Sequence, residues 1–563
     1  MIQCPGCGGA LKFDVYTQKL KCESCSSSYE PYSFDNAGGA EESTEYDVTI
    51  YRCPQCGGEI CSTDEAVAAF CSYCGSSNIL ESRLTKEKRP ELIIPFKRSK
   101  KECEDSFSRF IKRAIFAPKS YREAGKADSF RGIYMPYWLY DMSQNGNVSV
   151  KTSTSHRSGD YIITDHYLCS GRMDSYYNGV SYDASSSFAD DISASIAPYN
   201  VKDITRFSPA FLSGYYADVA DVSSATYRDT AVGLAQESSY NYIRKKSPMS
   251  SNSFDESKET VKSKIDTRIN VIRSAMFPVW FMSYRNKDRV AYATVNGQTG
   301  KVSADIPMSV PKFLLCALIL SGIIFALLQL FLTVTPNILV ILVAILGFVG
   351  VLMYNSEIKK IIAKENYDDD LGMLSVIDEK KRSRMQAQKG ASFENSDGTY
   401  VLTQNDIRRA KKQEARQRKA QKKGNGTALG VILTVFIICM FAPGLFSMLA
   451  ETVSSLNMPV IGGAVGLILL VITIILTINI SKEIKYTQSK NGLPATLWTT
   501  ISLGVITVVS VLNPVSDAIY YGAAIAAMVG VILNLIDLMR CHNLLAMRPL
   551  PQFEKYQGGD DRA

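Results

Sequence analysis

Eight cysteines fall into two copies of one spacing, and that spacing limits what the start of the chain can become. Cys4, Cys7, Cys22 and Cys25 read C-x2-C-x14-C-x2-C, and Cys53, Cys56, Cys71 and Cys74 repeat the pattern 49 residues later. The hexapeptide CPGCGG at Cys4–Gly9 returns as CPQCGG at Cys53–Gly58. Two residues between cysteines let both thiolates of a tight turn reach one ion, and the glycine after the second cysteine permits the turn. Two such turns complete a tetrahedral S4 site. A unit of about 30 residues has little core, so the metal supplies much of its folding energy.

These residues predict two structural Zn(2+) sites, with four thiolates filling each shell and leaving no open position for catalysis. Nothing in the pattern suggests redox work, which favours zinc, although spacing alone leaves iron open. Cys61, inside the second unit, reads as a spare buried thiol rather than a ligand. The N-terminus MIQCPGCGG lacks a basic stretch followed by an apolar run, so it does not read as a signal peptide. The head is therefore expected in the cytosol, where reduced thiols favour metal over disulfides.

The two units are expected at 1–34 and 49–82, joined by a polar linker at 35–48. Neither carries a dense basic face, because Lys12, Lys19 and Lys21 are offset by Asp14, Glu23 and Glu30. That balance favours protein docking over phosphate binding. Beyond them, residues 90–311 read as an α+β domain. SKKECEDSFSRFIKRAIFA places Phe107, Phe110, Ile111, Ile115 and Phe116 at helical spacing, with Pro118 as the stop. GIYMPYWLYDM, GNVSVKTSTS and DYIITDHYLCSG have strand character. SAMFPVWFMSYRNKDRVAYATVNGQTGKVSADIP alternates, with RNKD and NGQTG as hairpin turns. Pro136-Tyr137-Trp138 and Pro278-Val279-Trp280 read as structural counterparts.

No catalytic constellation emerges, and the chain reads as a non-enzyme. His156 and His166, among Asp160, Asp165 and Asp174, suit ordinary strand positions. GQTGK at Gly297–Lys301 lacks the spacing of a phosphate loop and has Val302 where a magnesium-binding hydroxyl belongs. No G-x-S-x-G elbow is present.

Although the formal charge is only +7, charge and apolarity are unevenly spread. Six apolar segments stand at about 313–334, 338–354, 428–450, 459–480, 495–511 and 517–539. As helices they would cross a bilayer. They pair into three hairpins at 313–354, 428–480 and 495–540, with turns free of Lys and Arg. The long connections, at 355–427 and 481–494, and the tail at 541–563 carry the positive charge. The positive-inside rule therefore places them, and both termini, on the cytosolic side of the inner (cytoplasmic) membrane. Arg408–Lys423 holds nine Lys or Arg and one Glu, which suits anionic lipid headgroups. Polar or ionisable groups within the segments are scarce: Asp517 stands near the start of the last one, and Asn534 and Asp537 near its end. Small residues at Gly462–Gly466 and Gly522–Gly530 favour close helix packing.

The CPxCGG units, MPYWLYD, FSPAFLSGYYADVADV, and the strand block before the first apolar segment together resemble a family. It comprises bacterial membrane-anchored zinc-ribbon proteins, many of them labelled PriA-like helicases, carried in Gram-positive genomes. The resemblance covers roughly residues 1–355. A helicase motor needs a nucleotide loop, and this sequence has none. Some members are encoded beside membrane-stress scaffold proteins of the phage-shock and SPFH types. The resemblance thus implies an anchor that recruits such partners.

The expectation is a multidomain protein: two small Cys4 zinc ribbons, an α+β cytosolic domain, and an α-helical membrane region of six helices in three hairpins. The leading functional reading is a non-enzymatic membrane adaptor for cytosolic or membrane-stress scaffold proteins. A transporter or lipid-handling protein with a zinc-ribbon regulatory head, and a membrane-tethered nucleic acid binder, are the alternatives.

Overall fold

The computed structural model describes residues 2–34, 45–62, 71–76, 81–124, 130–246, 254–329, 336–365, 367, 370–379, 458–483 and 493–549. Three short antiparallel strands, β1 (Leu11–Asp14), β2 (Lys19–Cys22) and β3 (Ser28–Tyr29), make the first unit. The second unit is not a separate sheet. Its strands β4 (Glu45–Arg52), β5 (Glu59–Ser62) and β6 (Glu81–Lys88) form one end of a twelve-stranded sheet.

That sheet is organised by two long strands. A hairpin of β8 (Arg131–Ser158) and β9 (Tyr161–Asp183) turns at Gly159, whose φ is 63°. Alongside β8 lies β12 (Thr267–Asn286), antiparallel, with Met276 opposite Pro136 and Pro278 opposite Tyr134. The two P-x-W segments are thus immediate neighbours across one ladder. RNKD makes the tight turn from β12 into β13 (Arg289–Asn296), with Lys287 at φ 56°. NGQTG turns β13 into β14 (Val302–Ala304), as Asn296 Oδ1 accepts from the Gln298 and Thr299 amides. Two-residue strands complete the sheet: β7 (Leu92–Ile93), β10 (Thr205–Arg206) and β11 (Tyr216–Ala217). Strand β11 bridges β5 and β8, and so joins the second cysteine unit to the centre of the sheet.

Helix α1 (Lys100–Lys112) opens on a capping box. Ser99 accepts from the Glu102 amide, and the Glu102 carboxylate accepts from the Ser99 amide. It buries Cys103, Phe107 and Ile111. The helical spacing predicted through Phe116 stops earlier, with Arg113 as the C-cap, so Ile115 leaves the core face and is 62% exposed. Helices α2 (Lys119–Ala124), α3 (Asp190–Ile196), α4 (Arg228–Lys246) and α5 (Lys258–Ser263) pack around the sheet. Aromatic residues dominate the core. Phe96 stacks on Tyr215 with centroids 4.3 Å apart and meets Tyr134 and Trp280.

After the sheet come α6 (Val310–Gln329), α7 (Pro336–Glu365), α8 (371–379), α9 (Met458–Glu483), α10 (Leu493–Leu512) and α11 (Asp517–Ala546). Six membrane helices were expected. Among the described residues three are long and apolar enough to cross a membrane: Leu339–Glu365, Ala495–Leu512 and Asp517–Ala546. Val310–Ile324 and Gly466–Lys482 are further, shorter apolar stretches within α6 and α9. The expected segment 428–450 and the basic run Arg408–Lys423 lie outside the described residues.

Small residues set the packing of these helices. A Cβ at Gly530 would stand 3.0 Å from Thr499 Oγ1, and one at Gly466 would stand 2.8 Å from Thr507 Oγ1. Asn534 Nδ2 donates to Thr499 Oγ1 across α10 and α11 at 2.6 Å. The start of α6, the end of α7 and the end of α11 all meet the sheet domain. Lys364 Nζ lies 3.8 Å from the Asp191 carboxylate of α3 and donates to the Leu545 carbonyl, Arg289 donates to Leu544 and Met547 carbonyls, and β15 (Arg548–Pro549) pairs with β13.

Candidate metal centres

Each cysteine pair sits on the same local device. In the first, the Cys4 carbonyl accepts from Gly8 N–H and the Cys4 amide donates to the Gly9 carbonyl. The pattern recurs at Cys22 with Ser26 and Ser27, at Cys53 with Gly57 and Gly58, and at Cys71 with Gly75 and Ser76. The residue after the second cysteine adopts a left-handed backbone every time: Gly8 at φ 72°, Ser26 at 59°, Gly57 at 72° and Gly75 at 70°. Three of the four positions are glycine because a side chain there is sterically penalised.

These turns bring four thiols together twice. In each set the four Sγ atoms all lie within 4.8 Å of one another. Cys4 and Cys25 are 3.6 Å apart, Cys7 and Cys22 3.4 Å, Cys53 and Cys74 3.7 Å, and Cys56 and Cys71 3.7 Å. Four zinc–sulfur bonds of about 2.3 Å in a tetrahedron give sulfur–sulfur edges of roughly 3.8 Å. A disulfide needs about 2.05 Å. Each set can therefore coordinate one metal ion.

The electrostatics fit the same chemistry. Neighbouring thiols hydrogen-bond to Cys53 and pull it below the usual thiol range, while the same contacts push Cys56 and Cys71 above it. Four thiolates at this spacing repel one another unless a cation lies between them. In the first set the Ser27 hydroxyl lies 3.3 Å from Cys25 Sγ and lowers that thiol to about 6. The Tyr29 hydroxyl lowers Cys4 in the same way.

The surroundings of the two sets differ. Cys7 and Cys25 are exposed, whereas all four members of the second set are buried. The first unit rests on the sheet domain through the Phe13 amide and the Ser213 carbonyl at 3.1 Å, and through Phe13 against Phe211 at 5.2 Å. The second is built in, with the Tyr292 hydroxyl donating to the Tyr73 carbonyl between Cys71 and Cys74. Cys61 lies buried on β5, opposite Ile50, outside the ligand set.

The histidines lie apart from these centres. His156 Nδ1 is 3.9 Å from Asp165, and His166 Nδ1 is 3.6 Å from Asp255, both on the β8–β9 ribbon. His542, near the end of α11, lies 3.3 Å from the Ile306 carbonyl. Sequence reading passed over a buried acidic group. Asp183, Asp190 and Asp370 come together where α8 meets the sheet domain, with Tyr227 donating to Asp190 at 2.6 Å. These residues are up to 187 positions apart (370 − 183), and no local motif marks them.

The fold and the thiol geometry together define a multidomain, metal-binding protein, partly embedded in a membrane. The chain is similar to a protein of Bacillus subtilis (strain 168) described as "Uncharacterized protein YdjG". The two are 29% identical over 332 residues, covering 54% of this chain and 90% of that protein. No family model matches, and no solved structure matches.

Proposed function

We propose that the protein is a membrane-anchored zinc-ribbon adaptor, whose metal-stapled head faces the cytosol and presents a docking surface to other proteins. The observation that carries this reading is the free edge of β9. Among the described residues β9 pairs with β8 alone, so its outer edge offers backbone donors and acceptors along a strand of 23 residues. Tyr161, Ile162 and Leu168 on it are 77%, 75% and 65% exposed. Proteins normally blunt such an edge, because it invites strand addition. The second cysteine set supports the sheet that holds this ribbon, through β5, β11 and β8. Four sulfurs saturate each ion, which suits a structural role. The basic side of the apolar segments suits a cytosolic head.

The intact protein, purified gently in detergent from its own host, should bring down partners. Cys53→Ser/Cys56→Ser and Ile162→Lys/Leu168→Lys should each lose them while still inserting in the membrane. Normal recruitment by both variants would sink the docking role.

A further inference from the structure

The two cysteine sets differ in access and in what holds their surroundings together. Cys7 and Cys25 are exposed, and their sulfurs lie within 4.8 Å of each other, whereas all four members of the second set are buried. A dissolved oxidant therefore meets the first set and is screened from the second. Oxidation of a thiolate follows its accessibility.

The first unit has little besides its metal to keep it folded. Its strands run to four, four and two residues, and Leu11, Phe13 and Leu20 are its buried aliphatic and aromatic side chains among the described residues. So small a core depends on metal for folding. The contacts that fasten the unit to the sheet domain depend on the same fold. The Ser213 hydroxyl donates to the Leu11 carbonyl at 2.5 Å. Gln18, held at φ 57° in the turn from β1 to β2, donates to the Phe96 carbonyl at 2.9 Å. The Tyr32 hydroxyl donates to the Arg206 carbonyl at 2.9 Å. Phe13 and Tyr32 both lie edge-on to Phe211, at 5.2 and 5.6 Å, and leave it 4% exposed. The second set has other support, because β4, β5 and β6 are strands of the large sheet.

We propose that the first cysteine set is an oxidant-operated catch: hydrogen peroxide joins Cys7 to Cys25, the metal is lost, and the first unit leaves the sheet domain and uncovers Phe211. One exposed thiolate attacks a peroxide oxygen, so that an S–O bond forms, the O–O bond breaks and hydroxide leaves. The other thiolate attacks that sulfur, so that an S–S bond forms, the S–O bond breaks and a second hydroxide leaves. The two sulfurs lose two electrons, the peroxide gains two, and two protons from solvent complete two waters. Cys4 and Cys22 are then too few to complete a four-sulfur site. The catch rests on the metal-binding reading of the first set and is independent of the β9 edge.

The test uses the full chain in mild detergent, loaded with zinc and titrated with hydrogen peroxide. Released zinc is read with a colorimetric chelator, disulfides by peptide mass spectrometry, and exposure by hydrogen exchange. One zinc per chain should leave at a dose that the second set withstands, together with a Cys7–Cys25 disulfide. Exchange should rise in 11–22 and in 208–214 and stay unchanged in 279–296. A thiol reductant with added zinc should reverse all three readings. Cys7→His, which keeps a zinc ligand but removes one of the two thiols, should slow zinc release at least fivefold; the wild-type readings decide the matter if this variant does not load zinc. Simultaneous loss of both ions, earlier loss of the second, zinc release without the Cys7–Cys25 disulfide, or unchanged exchange in 208–214 after release would overturn the proposal.

Discussion

At the scale of single residues, Ser26 stands out among the four cysteine turns. It holds φ 59° where its three counterparts are glycine. A left-handed backbone costs a residue with a Cβ roughly 1–2 kcal/mol, and glycine returns part of that gain through a more flexible unfolded chain. Ser26→Gly should therefore stabilise the first unit by about 1 kcal/mol. A chelator titration followed by metal release would check this, and an unchanged or lower midpoint would count against it. The cysteine sets were legible because their geometry is local: ligand spacing and turn glycines sit within a few residues of each other. Asp305, Asp370 and Arg548 were not legible, because each is defined by neighbours from distant parts of the chain. Arg548 donates to Asp191 at 2.5 Å, a contact across 357 residues.

At the scale of elements, reading from sequence succeeded where a pattern names its own boundaries. The hairpin turns at RNKD and NGQTG fall where their glycine and polar residues place them. It overran at α1, where apolar spacing continued through Phe116 although the helix had ended, because Phe116 packs against Phe313 of α6 and Ile115 is exposed. Helix α8 shows an interaction that only the fold creates. Asp370 caps it, accepting from the Met373 amide at 2.9 Å, and the Leu371 amide donates to Asp190. Burial, and after it the Asp190 charge, push the Asp370 carboxyl up to about 7, against the opposing Met373 amide and Arg548. An unfolded aspartate titrates near 3.9. Between about 4 and 7 the docked state thus binds the extra proton, and its stability falls as pH rises through that window. Hydrogen exchange in 371–379 should be faster at pH 8 than at pH 6 after correction for intrinsic rates. Asp370→Asn, which keeps a capping side chain, should remove most of the difference. A wild type with no pH dependence would contradict this account of the α8 contact.

At the scale of the whole molecule, the structure joins parts that the sequence presents in series. The second cysteine unit is the end of the large sheet, the first leans on the same core, and β13 carries the chain's distant β15 beside it. Polar contacts of Arg289 with Met547, of Lys364 with Asp191 and of Asn543 with Met308 then fasten the sheet domain to the ends of the apolar helices. This coupling was hidden because β11 has two residues and β15 has two, too short for any periodic signal. Loss of the second metal should therefore disturb the head as a whole, whereas loss of the first should act locally. The most direct measurement is elemental analysis of freshly purified full-length protein, alongside Cys4→Ser/Cys7→Ser and Cys53→Ser/Cys56→Ser. The account predicts two zinc ions per chain in the wild type and one in each variant. A metal-free wild type, or one holding iron in place of zinc, would contradict it.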